Sequence, residues 1–334
     1  MRKDKKQLYK IISIVCLAVA IGSILYVVYN LVEKNYLQSD WVAGDAAYER
    51  IGYKGVTYKY RDDFVNILCL GIDKEEAMDT RNDEDDSVGQ ADAIFLVSID
   101  VKQDVIQVLS IPRDTMVDLQ MYDGKGNYLG VRNGQLTLQY AYGDGQEFSA
   151  QLTSQRVAEL LNYIPIHGYV AINLESLLTI NDAVGGVDIA MDDDYTLLDP
   201  SFTKGSTIHL EGQKLYQYIH GRDITVRGSS YMRIDRMKQY IQAFYEKAKV
   251  LLAEDVTTIL PLFEAIEKDM VTSLTAKDIL YLATEALDCI FVDDNMYWLP
   301  GDPVRGEMYE EYYPDEIAIT ELVLDLFYER LTNP

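Results

Sequence analysis

A layered α/β domain, one sheet with helices on both faces, preceded by a single N-terminal transmembrane helix, is the fold class this 334-residue sequence predicts. Three observations carry it. Residues 11 to 32 form an apolar run without Asp, Glu, Lys or Arg. Four later segments are continuous β-rich apolar runs, the pattern of strands buried on both faces. Between and after them, apolar residues recur at helical spacing.

The chain opens with MRKDKKQLYK, five cations against one acid, and then IISIVCLAVAIGSILYVVYNLV. At about 1.5 Å per residue this run crosses a bilayer core of roughly 30 Å. The cationic flank predicts a cytoplasmic N-terminus. Tyr26, Tyr29, Tyr36 and Trp41 fall where an outer aromatic belt belongs. A cleaved signal peptide is the competing reading. The run is long for one, and no small-x-small cleavage site follows it. The sequence therefore predicts an uncleaved signal-anchor: residues 1–10 cytoplasmic, 11–32 in the membrane, 33–62 a Tyr- and charge-rich stalk, 63–330 one extracytoplasmic domain.

Within that domain, FVNILCLG (64–71), DAIFLVSI (92–99), DVIQVLSI (104–111) and GYVAIN (168–173) read as strands. SAQLTSQRVAELLNYI (149–164) has helical spacing. NLESLLTINDAVGG (173–186) opens on an Asn cap and closes on a glycine pair suited to a C-cap. Further helices are expected near 212–220, 231–253, 257–270, 275–289 and 315–330.

The formal net charge is −24. Removing the five cations and one acid of residues 1–10 from 30 and 54 leaves 25 against 53, a net of −28. Such a body repels nucleic acid and anionic lipid surfaces, so neither is an expected partner. Cys16, Cys69 and Cys289 show no metal spacing, and three cysteines cannot form a disulfide framework. His167, His209 and His220 are scattered, so a His/Cys zinc site is not expected.

Against this acidity, HGRDITVRGSSYMRIDR (220–236) gathers Arg222, Arg227, Arg233 and Arg236. With Ser230 as N-cap, Arg233 falls near the third helical position, and Arg233 and Arg236 share a face. Two cations beside free helix N–H groups suit a phosphate. Salt bridges to Asp223 and Asp235 are the plainer reading, and spacing alone leaves both open. In LSIPRDTMVDL (109–119) the strand ends before Pro112, so Arg113 and Asp114 emerge at its C-terminal end, where α/β sheets bind ligands. An Arg–Asp pair closing a turn explains the same residues. Asp73 and Asp92 sit at strand boundaries, hard oxygen ligands of the kind a Mg²⁺–phosphate site uses.

NILCLGID, GQADAIFLVSID, VLSIPRDTMVDL, INDAVGGVDI, LEGQKLYQYIHGRD and RIDRMKQ, in that order, resemble the LytR–CpsA–Psr family from about Phe64 to Lys249. The resemblance implies a single-pass bacterial membrane protein of the cell envelope. Its activity would be a Mg²⁺-dependent phosphotransferase, moving a glycopolymer (teichoic acid, capsule or similar) from a polyprenyl-pyrophosphate carrier to peptidoglycan. It further implies an apolar tunnel for the lipid and arginines around the pyrophosphate. Asp73 and Asp92 match the family's metal-associated acids, Arg113 its P-R-D arginine with Asp114 beside it. Arg222 matches the second arginine of Y-V-R-x-R, and Arg233 and Arg236 the pair before R-Q. Asp73 and Asp114 are both candidates for the base. His220, Gln90 and Glu75 stand where the family carries arginines, and Ser230 where it often carries an acid. Two alternatives use the same site: a non-catalytic regulator that binds lipid-linked glycans, and a pyrophosphatase with water as nucleophile.

Overall fold

The computed structural model describes residues 48–74, 78, 88–123, 125–221, 229–306 and 309–331. The expected membrane helix at 11–32 lies outside them. Among the described residues, no helix is long and apolar enough to cross a membrane.

In chain order the first strands are β1 (Arg50–Tyr53), β2 (Val56–Tyr60), β3 (Phe64–Ile72), β4 (Ala91–Asp100), β5 (Val105–Ser110), β6 (Met116–Tyr122) and β7 (Tyr128–Gln135). Helices α1 (Thr137–Ala141) and α2 (Glu147–Leu160) follow, then β8 (Gly168–Asn173) and α3 (Leu174–Ala183). A hairpin of β9 (Val187–Ala190) and β10 (Thr207–Leu210) leads into α4 (Gly212–His220), α5 (Ser229–Glu254) and α6 (Ile259–Ala265). Next come β11 (Met270–Thr272), α7 (Ala276–Asp288), β12 (Met296–Trp298), β13 (Gly301–Arg305) and β14 (Glu310–Pro314). The chain closes with α8 (Glu316–Phe327) and β15 (Tyr328–Leu331).

The main sheet has six strands in the order β11-β8-β3-β4-β5-β12. It is mixed: β3 runs parallel to β8 and β5 to β12, while β4 is antiparallel to both β3 and β5. The four apolar runs of the sequence are β8, β3, β4 and β5, its four central strands. Residues paired across strands share a face. One face carries Leu68, Leu70, Ile94, Leu96, Leu109 and Tyr169, all at most 2% exposed. These residues join α1, α2 and α8 in one core through Tyr140, Val157, Val323 and Phe327.

The opposite face carries Cys69 and Gly71, paired with Phe95 and Ala93 on one side and Val170 and Ile172 on the other. Of these, only Phe95 is buried; the rest are half-buried in the middle of the sheet. Helix α5 runs the length of this side. At its start Arg233 Nη2 donates to Asp92 O (3.2 Å), midway Lys238 lies over Trp298, and further on Lys249 Nζ donates to Cys289 O (2.6 Å). Helix α7 keeps Ile279, Leu280, Leu282 and Leu287 only half-buried. The helices on this side pack against one another and against β9 rather than closely onto β3 and β4. An apolar groove results. At the β11 edge of the sheet lies a cavity of ≈ 320 Å³ lined by Gln146, Glu147 and Glu267 as well as Phe263, Met270 and Leu274.

Asn173 caps α3 as its sequence predicts, its Oδ1 accepting Ser176 N at 2.9 Å, and Gly185 and Gly186 take positive φ beyond its end. The stalk expectation for 33–62 is corrected in its second half. There β1 and β2 form a hairpin turning at Lys54 (φ 47°) and Gly55 (φ 77°), and β15 pairs with β2. Tyr60, 3% exposed, belongs to the core. VTYKY alternates apolar and polar residues, as a strand with one buried face does, and shows no continuous run. The hairpin β6–β7 escapes sequence reading for a related reason: most of β7 is exposed.

Candidate active site

The described site residues meet at one end of the main sheet. Chain returning to β4 reaches it through Gly89 (φ 79°), where a Cβ would stand 2.7 Å from Ile72 Cγ2. Only glycine permits that approach. It lets Asp73 N donate to Gln90 O at 2.9 Å and sets Asp73 and Asp92 on neighbouring strand ends. Asp73 and Gln90 are exposed.

Beyond β5, Pro112 ends the strand, and Thr115 N donates to Pro112 O at 3.0 Å to close a turn. That turn delivers Arg113 and Asp114. The Arg113 guanidinium donates through Nη1 to Asp92 Oδ1, and its Nε lies 3.6 Å from Asp114 Oδ1. From α5, Arg233 brings Nη1 to 3.7 Å from Asp92 Oδ2. Charges therefore alternate along a line: Asp114, Arg113, Asp92, Arg233. Asp114 is 8% exposed and Arg233 6%. Burial pushes the Asp114 carboxyl above the ordinary carboxylate range; Arg113 opposes that, while Glu310 and Asp92 add to it. The turn-closing Arg113–Asp114 pair is present, and it stands beyond the C-terminal end of β5.

Arg233 and Arg236 part company. Arg236, 3% exposed, sends Nε to Tyr218 O at 2.7 Å and Nη2 to Gly221 O, and lies over the rings of Tyr195 and Tyr218. Its donors hold the end of α4, so the expectation that both arginines present one phosphate-binding face is corrected. Burial also pulls its pKa below the usual arginine value. The expected cap at Ser230 is corrected too. Helix α5 already runs at Ser229, which makes Arg233 its fifth residue and leaves it beyond the first-turn N–H groups. His220 ends α4, exposed, its ring 5.0 Å from that of Tyr216. Arg222, Arg227 and Glu75 lie outside the described residues.

One residue at the site carries no sequence signal. Gln135, at the end of β7, donates from Nε2 to Asp114 Oδ1 at 3.0 Å and to Glu310 O at 2.7 Å. It lies 21 residues from its partner, in a mostly exposed strand, and nothing local marks it.

Among the described residues, no three His, Cys, Asp or Glu side chains group so as to hold a metal ion. Asp73 and Asp92 are two hard carboxylates on adjacent strand ends, a donor set that suits Mg²⁺ only when other oxygens complete the shell.

A model of the LytR_cpsA_psr family matches residues 29–313. The polyisoprenyl-teichoic acid–peptidoglycan teichoic acid transferase TagU of Bacillus cereus (strain AH820) is 27% identical over 253 residues, 75% of this chain and 74% of that protein. The protein of the same name from Bacillus subtilis (strain 168) is 25% identical over 274 residues, 82% of this chain and 80% of its own. Among solved structures, TagT bound to LI-WTA aligns with a TM-score of 0.60 at 20% identity, over 84% of this chain and 96% of that one. The crystal structure of B. subtilis TagU aligns at 0.53 with 22% identity, over 81% and 100%. These structural likenesses establish a shared mixed α/β fold.

Proposed function

This chain belongs to the LytR–CpsA–Psr family, and from that premise we propose that it is a membrane-anchored phosphotransferase. It transfers a glycopolymer, teichoic acid or a similar polymer, from a polyprenyl-pyrophosphate carrier to peptidoglycan. The relatives' names state, for those proteins, a polyisoprenyl-teichoic acid–peptidoglycan teichoic acid transferase. In this chain the observation that supports it most is the meeting of two chemistries at one sheet end: the half-buried Arg113 and the buried Arg233 paired to Asp92, and a half-open apolar groove beside them.

The groove suits a polyprenyl chain. Small residues floor it; a Cβ on Gly71 would already stand 3.0 Å from Ala93 Cβ. At the head, Arg113 and Arg233 exchange their shared carboxylate for the pyrophosphate. A guanidinium grips a phosphate through two parallel donors, which an ammonium cannot reproduce. The donors stand ready before the substrate arrives, so they stabilise charge as it develops on the transferred phosphoryl group. Asp73 and Asp92 are the residues to hold Mg²⁺, which when bound neutralises pyrophosphate charge alongside the arginines. The attacking group is a peptidoglycan hydroxyl, and the leaving group is polyprenyl phosphate.

The test supplies the full-length chain in detergent with a polyprenyl-pyrophosphoryl glycan, Mg²⁺ and peptidoglycan fragments. Glycan joined to peptidoglycan is the expected product. Released glycan phosphate alone makes the chain a pyrophosphatase, and binding without turnover makes it a regulator.

A further inference from the structure

Asp114 is clamped on one side and open on the other. Its Oδ1 accepts Gln135 Nε2 at 3.0 Å and faces Arg113 Nε at 3.6 Å. Its Oδ2 accepts no hydrogen bond from any described residue. The backbone around it is held by other elements: Tyr312 N donates to Asp114 O at 2.9 Å, and Thr137 N to Arg113 O at 3.0 Å. Gln135 itself cannot turn over. Both partners of its Nε2, a carboxylate oxygen and the Glu310 carbonyl, are acceptors, and a flipped amide would set its own oxygen against them. Asp73, the other candidate base, is exposed, and its side chain makes no hydrogen bond or ion pair with a described residue.

We infer that Gln135 is a positioning residue, holding Asp114 Oδ1 so that Oδ2 takes the proton of the attacking hydroxyl. This rests on the transferase reading above. In the step, the acceptor O–H bond breaks and its proton passes to Oδ2. The freed oxygen bonds to the sugar-proximal phosphorus, and the P–O bond to polyprenyl phosphate breaks, the electron pair leaving with that group. The charged groups facing Asp114 are Arg113, Glu310, Asp92 and Arg233. A donor to the ionised carboxylate favours it and offsets part of the burial that raises Asp114.

Two variants of opposite sign test this in the full-length chain, with turnover followed against pH and melting temperature recorded. Gln135→Met keeps the length and loses the donor. Gln135→Lys keeps a donor and adds charge. Gln135→Met is expected to lower kcat about tenfold or more and leave KM for the lipid-linked glycan within about twofold. It also moves the acid limb of kcat/KM to higher pH, while Gln135→Lys moves that limb to lower pH. Asp114→Asn is expected to cost about a hundredfold or more in kcat. A limb that stays put in both variants, or moves the same way in both, overturns the positioning role whatever happens to kcat. Should Gln135→Met fail to fold, the direction of the limb in Gln135→Lys decides. Full turnover by Asp114→Asn overturns the base. A wild-type chain that transfers no glycan overturns the transferase reading itself.

Discussion

At Arg236 a guanidinium in the arginine-rich stretch serves the fold. Its Nε and Nη2 satisfy the carbonyls of Tyr218 and Gly221 at the end of α4, where helix carbonyls lack intrahelical partners. A single ammonium cannot reach both in that planar arrangement. Hydrogen bonds from charged groups contribute about 1.5–3 kcal/mol each. Arg236→Lys is therefore expected to lose about 2 kcal/mol and about 4 °C in melting temperature. Thermal unfolding checks this, and a variant that melts with the wild type contradicts it. Arg233, three residues earlier, points instead to Asp92. One helical turn separates a residue that builds the wall from one that faces the site.

In the proposed function the lipid lies along the groove face of β3, β4 and β8. Sheet faces in globular proteins are normally covered, because burying apolar area stabilises by about 25 cal/mol per Å². Here Cys69, Gly71, Ala93, Val170 and Ile172 stay half-buried under helices that pack elsewhere. Ala93→Leu adds apolar volume to the floor without opening a cavity. It is expected to leave stability within about 0.5 kcal/mol or raise it. Affinity for polyprenyl pyrophosphate should fall about tenfold or more, the loss shrinking for a short isoprenoid pyrophosphate that does not extend along the floor. Equal loss for long and short chains would place the lipid elsewhere.

For the whole molecule, His167 ties acid stability to the joining of β3 and β8. Its Nδ1 accepts Asn66 N at 3.0 Å, and burial pulls its pKa from 6.5 to about 4. The folded protein thus binds this proton more weakly than the unfolded chain. Stability is full above pH 6.5 and falls as pH drops towards about 4. The group accounts for about 3 kcal/mol across that window. His167→Gln, a neutral acceptor, is expected to flatten the fall in melting temperature between those pH values; an unchanged slope rules it out. Topology is the second property at this scale. The reading of 11–32 as a retained anchor predicts that N-terminal sequencing of membrane-extracted protein begins before residue 11, and a start beyond residue 32 overturns it.

Periodicity alone determined the central strands and most helices. Residues buried on both faces must be apolar throughout, and a helix with one covered side must repeat its apolar positions. The cap at Asn173 was legible for the same reason, since its partner, Ser176, lies three residues away. Elements with one exposed face were not: β1, β2, β6 and β7 carry too little apolar surface to announce themselves. At the site, Asp92, Arg113, Asp114 and Arg233 could be named from motifs. Their pairing could not, because Asp92 and Arg233 are 141 residues apart and meet only when α5 lies along the sheet. Tertiary structure alone set Arg236 to the fold and Gln135 to Asp114. A side chain's chemistry is written at its own position, but whether it binds the fold or a ligand depends on which acceptors folding brings within about 3 Å of its donors.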